Sequence, residues 1–268
     1  MAQTINDTYE FAETVSQTAH TQATVLPAGT KRKIVVQFHQ DAGHTVTGAT
    51  FNGAAMSEAI SLVTNAGDPS IKSGGFYYDV SDALAASTYD TVLTTNVVST
   101  EISFYTWVLV QAATGALEVA TSATANNATV TVGPASGTAT TGAVLMASVI
   151  TGSATPTWTM SGDVTEGTEL TETNYTTCPA QASGVASGSR SATGTASSSA
   201  GYKNLLLFSS AAYVDPTYTV TETTTITNVS GVVTGTGTTP YVCGTGEAFR
   251  LKMTHSSGII AYAHVRGV

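Results

Sequence analysis

The sequence predicts an all-β protein, an antiparallel β-sandwich of jelly-roll type with a short β-rich C-terminal extension. Three observations carry this. Residues 100–113, Thr-Glu-Ile-Ser-Phe-Tyr-Thr-Trp-Val-Leu-Val-Gln-Ala-Ala, are the densest apolar stretch, rich in aromatic and β-branched residues and free of Pro and Gly, as a strand covered on both faces requires. About ten to twelve strand-like segments recur, with turn signals at roughly the 8–12 residue spacing of an all-β sandwich. No 3.6-residue periodicity is sustained and strands do not alternate with helices, so two antiparallel sheets packed face to face are the economical solution, with the eight-stranded jelly roll as the expected topology.

Residues 1–22 are polar, anchored by Ile5, Tyr9, Phe11 and Val15, and read as an N-terminal arm or an irregular edge strand. The sandwich is expected over residues 23–215. After the turn at Pro27-Ala-Gly-Thr, the basic trio Lys31-Arg32-Lys33 reads as the polar entrance to a strand over 33–39. Residues 46–52 alternate and end at Asn52-Gly53, a pair that tolerates positive φ and suits a hairpin turn. A strand over 56–64, a Gly-rich loop over 65–75 and a short aromatic strand over 76–80 follow. Ser81-Asp-Ala-Leu-Ala-Ala predicts one helical turn capped by Ser81. Alternation returns over 88–98, and the segments 128–132 and 143–150 read as strands. Residues 151–200, dominated by small polar residues, read as long surface loops with weak strands, and 202–213 closes the sandwich. Asp215-Pro216 marks a boundary. The extension, 216–268, is Thr/Val-rich, passes through a Gly-rich stretch and ends in strands over 249–255 and 259–265. It is too short to hold a core of its own, which predicts that it packs on the sandwich or on a second copy.

Charged residues are only 10% of the chain, against about 25% in an ordinary globular protein. A hydrophobic content of 42% excludes disorder as the explanation. The net charge of −9 repels phosphate backbones, which argues against nucleic acid as a direct partner. No apolar run approaches the ~20 residues that span a bilayer, and the first residues lack the basic and apolar regions of a signal peptide, so a soluble chain without membrane partners is expected. Cys178 and Cys243 lack a CxxC spacing. They form either one disulfide or two separately buried thiols, the second being favoured because nothing marks the chain for export.

Candidate chemistry is sparse. His39, Asp41 and His44 could offer ligands to zinc at a strand end, but their spacing matches no zinc pattern and a plain turn is the simpler reading. Asp163, Glu166 and Glu169 crowd a loop without the ligand spacing of a calcium loop. Glu10, Glu13, Asp79, Asp82 and Glu101 cannot be paired into the two flanking carboxylates of a glycosidase. No nucleophile elbow, P-loop or dinucleotide fingerprint occurs. The reading is therefore no enzyme, no cofactor and no metal. Phe76 and Trp107 are expected in the core, whereas Trp158 sits in polar sequence and is a candidate interface residue, together with Tyr9, Phe11, Tyr218 and Tyr241.

The segment Val46-Thr-Gly-Ala-Thr-Phe-Asn-Gly-Ala-Ala-Met, the strand Gly75-Phe-Tyr-Tyr-Asp-Val, Trp107-Val-Leu-Val and the closing Lys203-Asn-Leu-Leu-Leu-Phe resemble a jelly-roll β-sandwich family common among structural proteins of tailed bacteriophages. The resemblance covers roughly residues 23–214. It implies a virion component made in the host cytoplasm: a capsid decoration or cement protein on the outer surface, or part of a tail or fibre that binds a receptor or carbohydrate. The expected partners are further copies of itself, with a trimer favoured, and the major capsid or other virion proteins. Residues 2–20 and 217–268 would carry the intersubunit contacts, so that removing either would leave the sandwich folded.

Overall fold

A computed structural model describes residues 3–13, 16–41, 43–99, 101–133, 138–199 and 201–214 in full, and the backbone of 217–228, 231–242 and 265–267. The chain divides into two units, Met1–Tyr213 and Val214–Val268, so the boundary falls within two residues of the Asp215-Pro216 signal. Every regular element among the described residues is a strand, and all the pairings are antiparallel.

Where the sequence reading expects one sandwich over 23–215, the first unit holds two. The first is built from β1 (Thr4–Ala12), β2 (Gln17–Leu26), β3 (Arg32–Asp41), β4 (Val46–Phe51), β5 (Ala54–Ala55), β6 (Ser57–Thr64), β7 (Ile71–Val80), β8 (Ser87–Ser99) and β9 (Ile102–Val110). Its sheets run in the orders β1-β9-β3-β7-β6 and β2-β8-β4-β5. Between them lie Ile34, Val36, Phe38, Phe51, Leu93, Phe104 and Val108, the inward half of each strand's alternation.

The second sandwich comprises β10 (Val119–Ala125), β11 (Thr129–Val132), β12 (Thr138–Ala139), β13 (Ala143–Thr151), β14 (Trp158–Gly162), β15 (Thr165–Glu166), β16 (Leu170–Thr171), β17 (Thr176–Val185), β18 (Gly188–Ser189), β19 (Ala192–Ala196) and β20 (Lys203–Ser210). Its sheets run β10-β20-β13-β17-β15, with β16 also on β17, and β11-β19-β14; β12 and β18 form a separate pair. Matching β1, β3, β6, β7 and β9 to β10, β13, β15, β17 and β20, and β2, β4 and β8 to β11, β14 and β19, the two strand orders coincide. The unit is a structural duplication.

The larger sheets of the two sandwiches pack against one another, with the corresponding strands β3 and β13 in contact. Val35, Tyr105, Trp107 and Leu109 from the first meet Val144, Met146, Leu206 and Phe208 from the second. This explains why β3, β9, β13 and β20 are buried on both faces: each serves its own core with one side and the seam with the other. The strand predicted over 100–113 has this place, beside β3, and Phe76 and Trp107 are core residues as expected.

Several expectations need correction. The arm reading of residues 1–22 gives way to the other one, an irregular edge strand: β1 is hydrogen-bonded along β9 with a bulge between Ile5 and Asp7, and β2 is paired with β8, so Thr4–Ala12 and Gln17–Leu26 are integral to the first sandwich. Removing residues 2–20 would therefore strip a sheet edge and could not leave the fold intact. Asn52 and Gly53, at φ 49° and 74°, do make the two-residue turn between β4 and β5. The loop read over 65–75 ends at Ser70, and Ser73-Gly74-Gly75 belongs to β7. A Cβ on Gly74 would lie 2.6 Å from the Phe38 ring, and one on Gly75 2.5 Å from the Phe208 ring, so these glycines let aromatic rings rest on the backbone. Residues 81–86 make a turn closed by Leu84 N–H on Ser81 O at 3.0 Å, without a helix. Within 151–200, β17 pairs with β13 and its first half is fully buried. The basic trio does open β3, but two of its members are buried: Arg32 is 3% exposed and donates to Pro27 O, Ser81 O and Leu84 O, and Lys33 is 1% exposed and donates to Gly115 O at 2.8 Å.

In the second unit, β21 (Thr217–Asn228) and β22 (Gly231–Val242) form a long hairpin, with β23 (Val265–Gly267) on the other side of β21. Cys243 and most of the strands predicted over 249–255 and 259–265 lie outside the described residues.

Candidate functional site

Three places gather polar chemistry. The first is inside the seam. Alternation along β3 turns Gln37 and His39 away from their own core and toward β13. Gln37 Nε2 donates to Met146 O at 3.0 Å, Ser148 Oγ donates to Gln37 Oε1 at 2.5 Å, and His39 Nε2 and Nδ1 lie 2.7 Å from Ser148 Oγ and Ser73 Oγ. The directions fix one another. With the Ser148 hydroxyl proton spent on Gln37, Nε2–H of a neutral His39 donates to Ser148 and Nδ1 accepts from Ser73. His39 is fully buried, and desolvation holds its pKa down at about 3. Further along, Tyr105 Oη meets Thr177 Oγ1 at 2.7 Å, while Trp107 Nε1 and Thr8 Oγ1 both donate to Gln181 Oε1, at 2.9 and 2.8 Å. Gln3 Nε2 donates to Ser210 Oγ at 3.0 Å, joining the start of β1 to the end of β20. These groups bind one sandwich to the other and are closed to a substrate.

The second is an open cleft of about 460 Å³ at one end of the first sandwich, lined by Ser16, Gly43, His44, Val97, Val98, Ser99 and Glu101. His44 Nε2 lies 3.0 Å from Ser99 Oγ, which also accepts the Glu101 N–H at 3.1 Å. A serine against an imidazole invites a nucleophilic reading. Burial, with Lys72 and His20 nearby, lowers the His44 pKa to about 4, which makes it a poor proton acceptor. Glu13 Oε2 is taken up by His20 Nδ1 at 2.7 Å. The cleft is suited to hydrogen bonding beside the exposed Val97 and Val98 rather than to proton abstraction.

The third is the acidic loop. Asp163 is ion-paired with Arg190 at 3.2 Å and accepts Ser191 N–H at 2.7 Å, and these contacts outweigh its burial and lower its pKa. Glu166 accepts Met160 N–H at 2.6 Å, and Glu169 accepts Trp158 N–H. Residues 158 and 160 point their amides off the free edge of β14, so the two carboxylates finish the backbone bonding of an edge strand and block its extension. Glu166, Glu169 and Cys178 hold potential ligand atoms within 4.8 Å of one another. Burial first, then the two carboxylates, pushes the Cys178 thiol far above its ordinary range. A protonated thiol beside carboxylates already engaged by backbone amides is a poor metal donor set.

The sequence-predicted sites fare unequally. His39, Asp41 and His44 are not brought together: His39 lies in the seam, Asp41 accepts from Ser70 Oγ at 2.8 Å, and His44 lines the cleft. Trp158, a candidate interface residue from its polar sequence surroundings, is 4% exposed in the second core, with Nε1 directed at Thr176 O. Tyr9 and Phe11 are half-buried against the first core, Phe11 stacking on Phe104 at 4.6 Å. Tyr218 stands opposite Tyr241 in the β21–β22 ladder, and their side chains are outside the described residues. The Gln37–Ser148–His39–Ser73 chain escaped the sequence reading because its members come from three distant strands.

Among the described residues no helix is long and apolar enough to cross a membrane. Comparison of the chain with family models, with curated proteins and with solved structures gives no match.

Proposed function

We propose that each sandwich is a jelly roll and that the chain is a non-enzymatic structural protein of a tailed-phage virion, a decoration or cement protein that stabilises the outer surface of the capsid through protein–protein contacts as a homo-oligomer. The single observation that carries this reading is the duplication. Two sandwiches of one strand order, joined by an apolar and hydrogen-bonded seam, make a stiff block with broad outer sheets, the form required of a part that braces a surface. Counting the main strands of the first sandwich in chain order, with β5 and β6 as one strand that changes sheets, neighbours follow the jelly-roll sequence first-eighth-third-sixth and second-seventh-fourth-fifth. The low charge density favours docking, because few ions must be stripped of water. Immunogold labelling of intact particles carrying this gene, with antibody against residues 3–213, tests it: dense label on the capsid exterior is the expected result, and unlabelled particles would end the proposal.

A receptor- or carbohydrate-binding module of a tail or fibre is the second reading, favoured by the cleft beside Val97 and Val98. A glycan array with the intact chain separates the two, since only this reading predicts saturable binding that Val98→Asp abolishes.

A further inference from the structure

Among the described residues, one side of the hairpin in the second unit has no strand paired to it. β22 is hydrogen-bonded to β21 along its length and is an edge of its sheet among the described residues. Two arguments say which amides point outward. Asn228 and Gly231 close the ladder across two intervening residues, and such a closing pair exchanges both its backbone bonds. Counting away from it, residues 233, 235, 237, 239 and 241 bond to β21, whereas 232, 234, 236, 238 and 240 face outward. Independently, Pro240 has no N–H to give the ladder, and the count places it among the outward positions, where a strand tolerates proline.

Natural sheet edges are guarded by lysine, inward charges, bulges or proline, and Pro240 guards only the last outward position of this one. The stretch Gly231–Val242 carries no charged residue in a chain of net charge −9. Its ladder with β21 runs without a bulge, and its one proline stands near the far end. An uncharged edge of this length is a template for another strand, and a second β22 is complementary to it. Antiparallel pairing about a two-fold axis sets Val232 opposite Thr238 of the partner subunit and Thr234 opposite Thr236 of the partner subunit, with the reciprocal pairs. In this register Pro240 falls beyond the partner's strand, where its missing N–H costs nothing.

We propose that the β22 edge is a self-association surface, joining two copies of this chain through a continuous antiparallel sheet. The proposal rests on the homo-oligomer within the proposed function and names its contact. The test is sedimentation of the intact chain over about a hundredfold dilution range, together with amide hydrogen exchange. A concentration-dependent dimer is expected, in which the amides of Val232, Thr234, Thr236 and Thr238 lose protection on dilution while those of Val233, Gly235 and Gly237 keep it. Thr236→Pro removes an outward N–H and spares the ladder to β21, so it should weaken association by about 10- to 100-fold with unchanged strand content. A chain that stays monomeric, a trimer, or a dimer indifferent to Thr236→Pro would overturn the proposal. Particle labelling reads the virion assignment separately, so either can fail alone.

Discussion

Gln37 and Ser148 meet across the seam with the Ser148 hydroxyl 2.5 Å from Gln37 Oε1, and through them the middle strand of one sandwich is keyed to the middle strand of the other. Apolar packing brings the two sheets together without fixing their alignment, because it has little directionality. The side-chain amide supplies direction: its oxygen takes the serine proton while its nitrogen donates to Met146 O.

Gln37→Leu should lower stability by about 1–3 kcal/mol, because it takes away the acceptor of the buried Ser148 hydroxyl and a donor to Met146 O. Urea unfolding of Gln37→Leu, Ser148→Ala and the double variant gives the coupling. The double variant should be less destabilised than the sum of the singles.

Acid should weaken the fold through its buried imidazoles. His39 and His44 have folded pKa values of about 3 and about 4, below the unfolded value of about 6.5. The unfolded chain therefore binds more protons between these limits. Stability is fully present above pH 6.5 and falls by about 1.4 kcal/mol per pH unit for each histidine below it. Asp41 and Glu172, whose pKa values burial raises, act in the opposite sense as they take up protons. Urea midpoints at neutral and mildly acid pH should converge in His39→Gln relative to the parent.

Two glycines on the two sheets of the first sandwich should respond oppositely to alanine. Gly75→Ala drives a methyl into the Phe208 ring and the Val36 carbonyl and should cost about 1–3 kcal/mol. Gly48→Ala meets nothing within 4 Å and should be neutral or stabilise slightly, by up to about 1 kcal/mol. Thermal unfolding of the pair reads the contrast.

Trp158→Ala should cost about 3–5 kcal/mol, as loss of a buried aromatic does. In the parent, Trp107 and Trp158 are both shielded, so fluorescence should be blue-shifted and resist an aqueous quencher.

Alternation made the first sandwich readable. Ile34, Val36 and Phe38 against Val35, Gln37 and His39, and the Asn52-Gly53 turn, are signals that survive without any partner in view. The second sandwich was read only in part: β13 and β20 carry Val, Leu, Met and Phe and show as strands, whereas the strands within 151–200 are made mostly of small residues. β17, Thr-Thr-Cys-Pro-Ala-Gln-Ala-Ser-Gly-Val, and β7, Ile-Lys-Ser-Gly-Gly-Phe-Tyr-Tyr-Asp-Val, hold the same place in their sheets and share almost no side chains. Burial there comes from close approach of thin strands, for which hydrophobicity is a poor guide. Trp158 was misplaced for the same reason: its Thr and Ser neighbours face out while it faces in. The seam chemistry needed the fold, since Ser73, Gln37 and Ser148 become neighbours only through sheet order.

The Gln3–Ser210 hydrogen bond sets the chain's point of entry into the first unit beside its point of exit. A short peptide could bridge them, and the chain could be reopened at the Asn52–Gly53 tip to give a circular permutant with the same contacts. A load applied through both ends would act at one corner and peel β1 from β9, leaving the rest of the block unstressed.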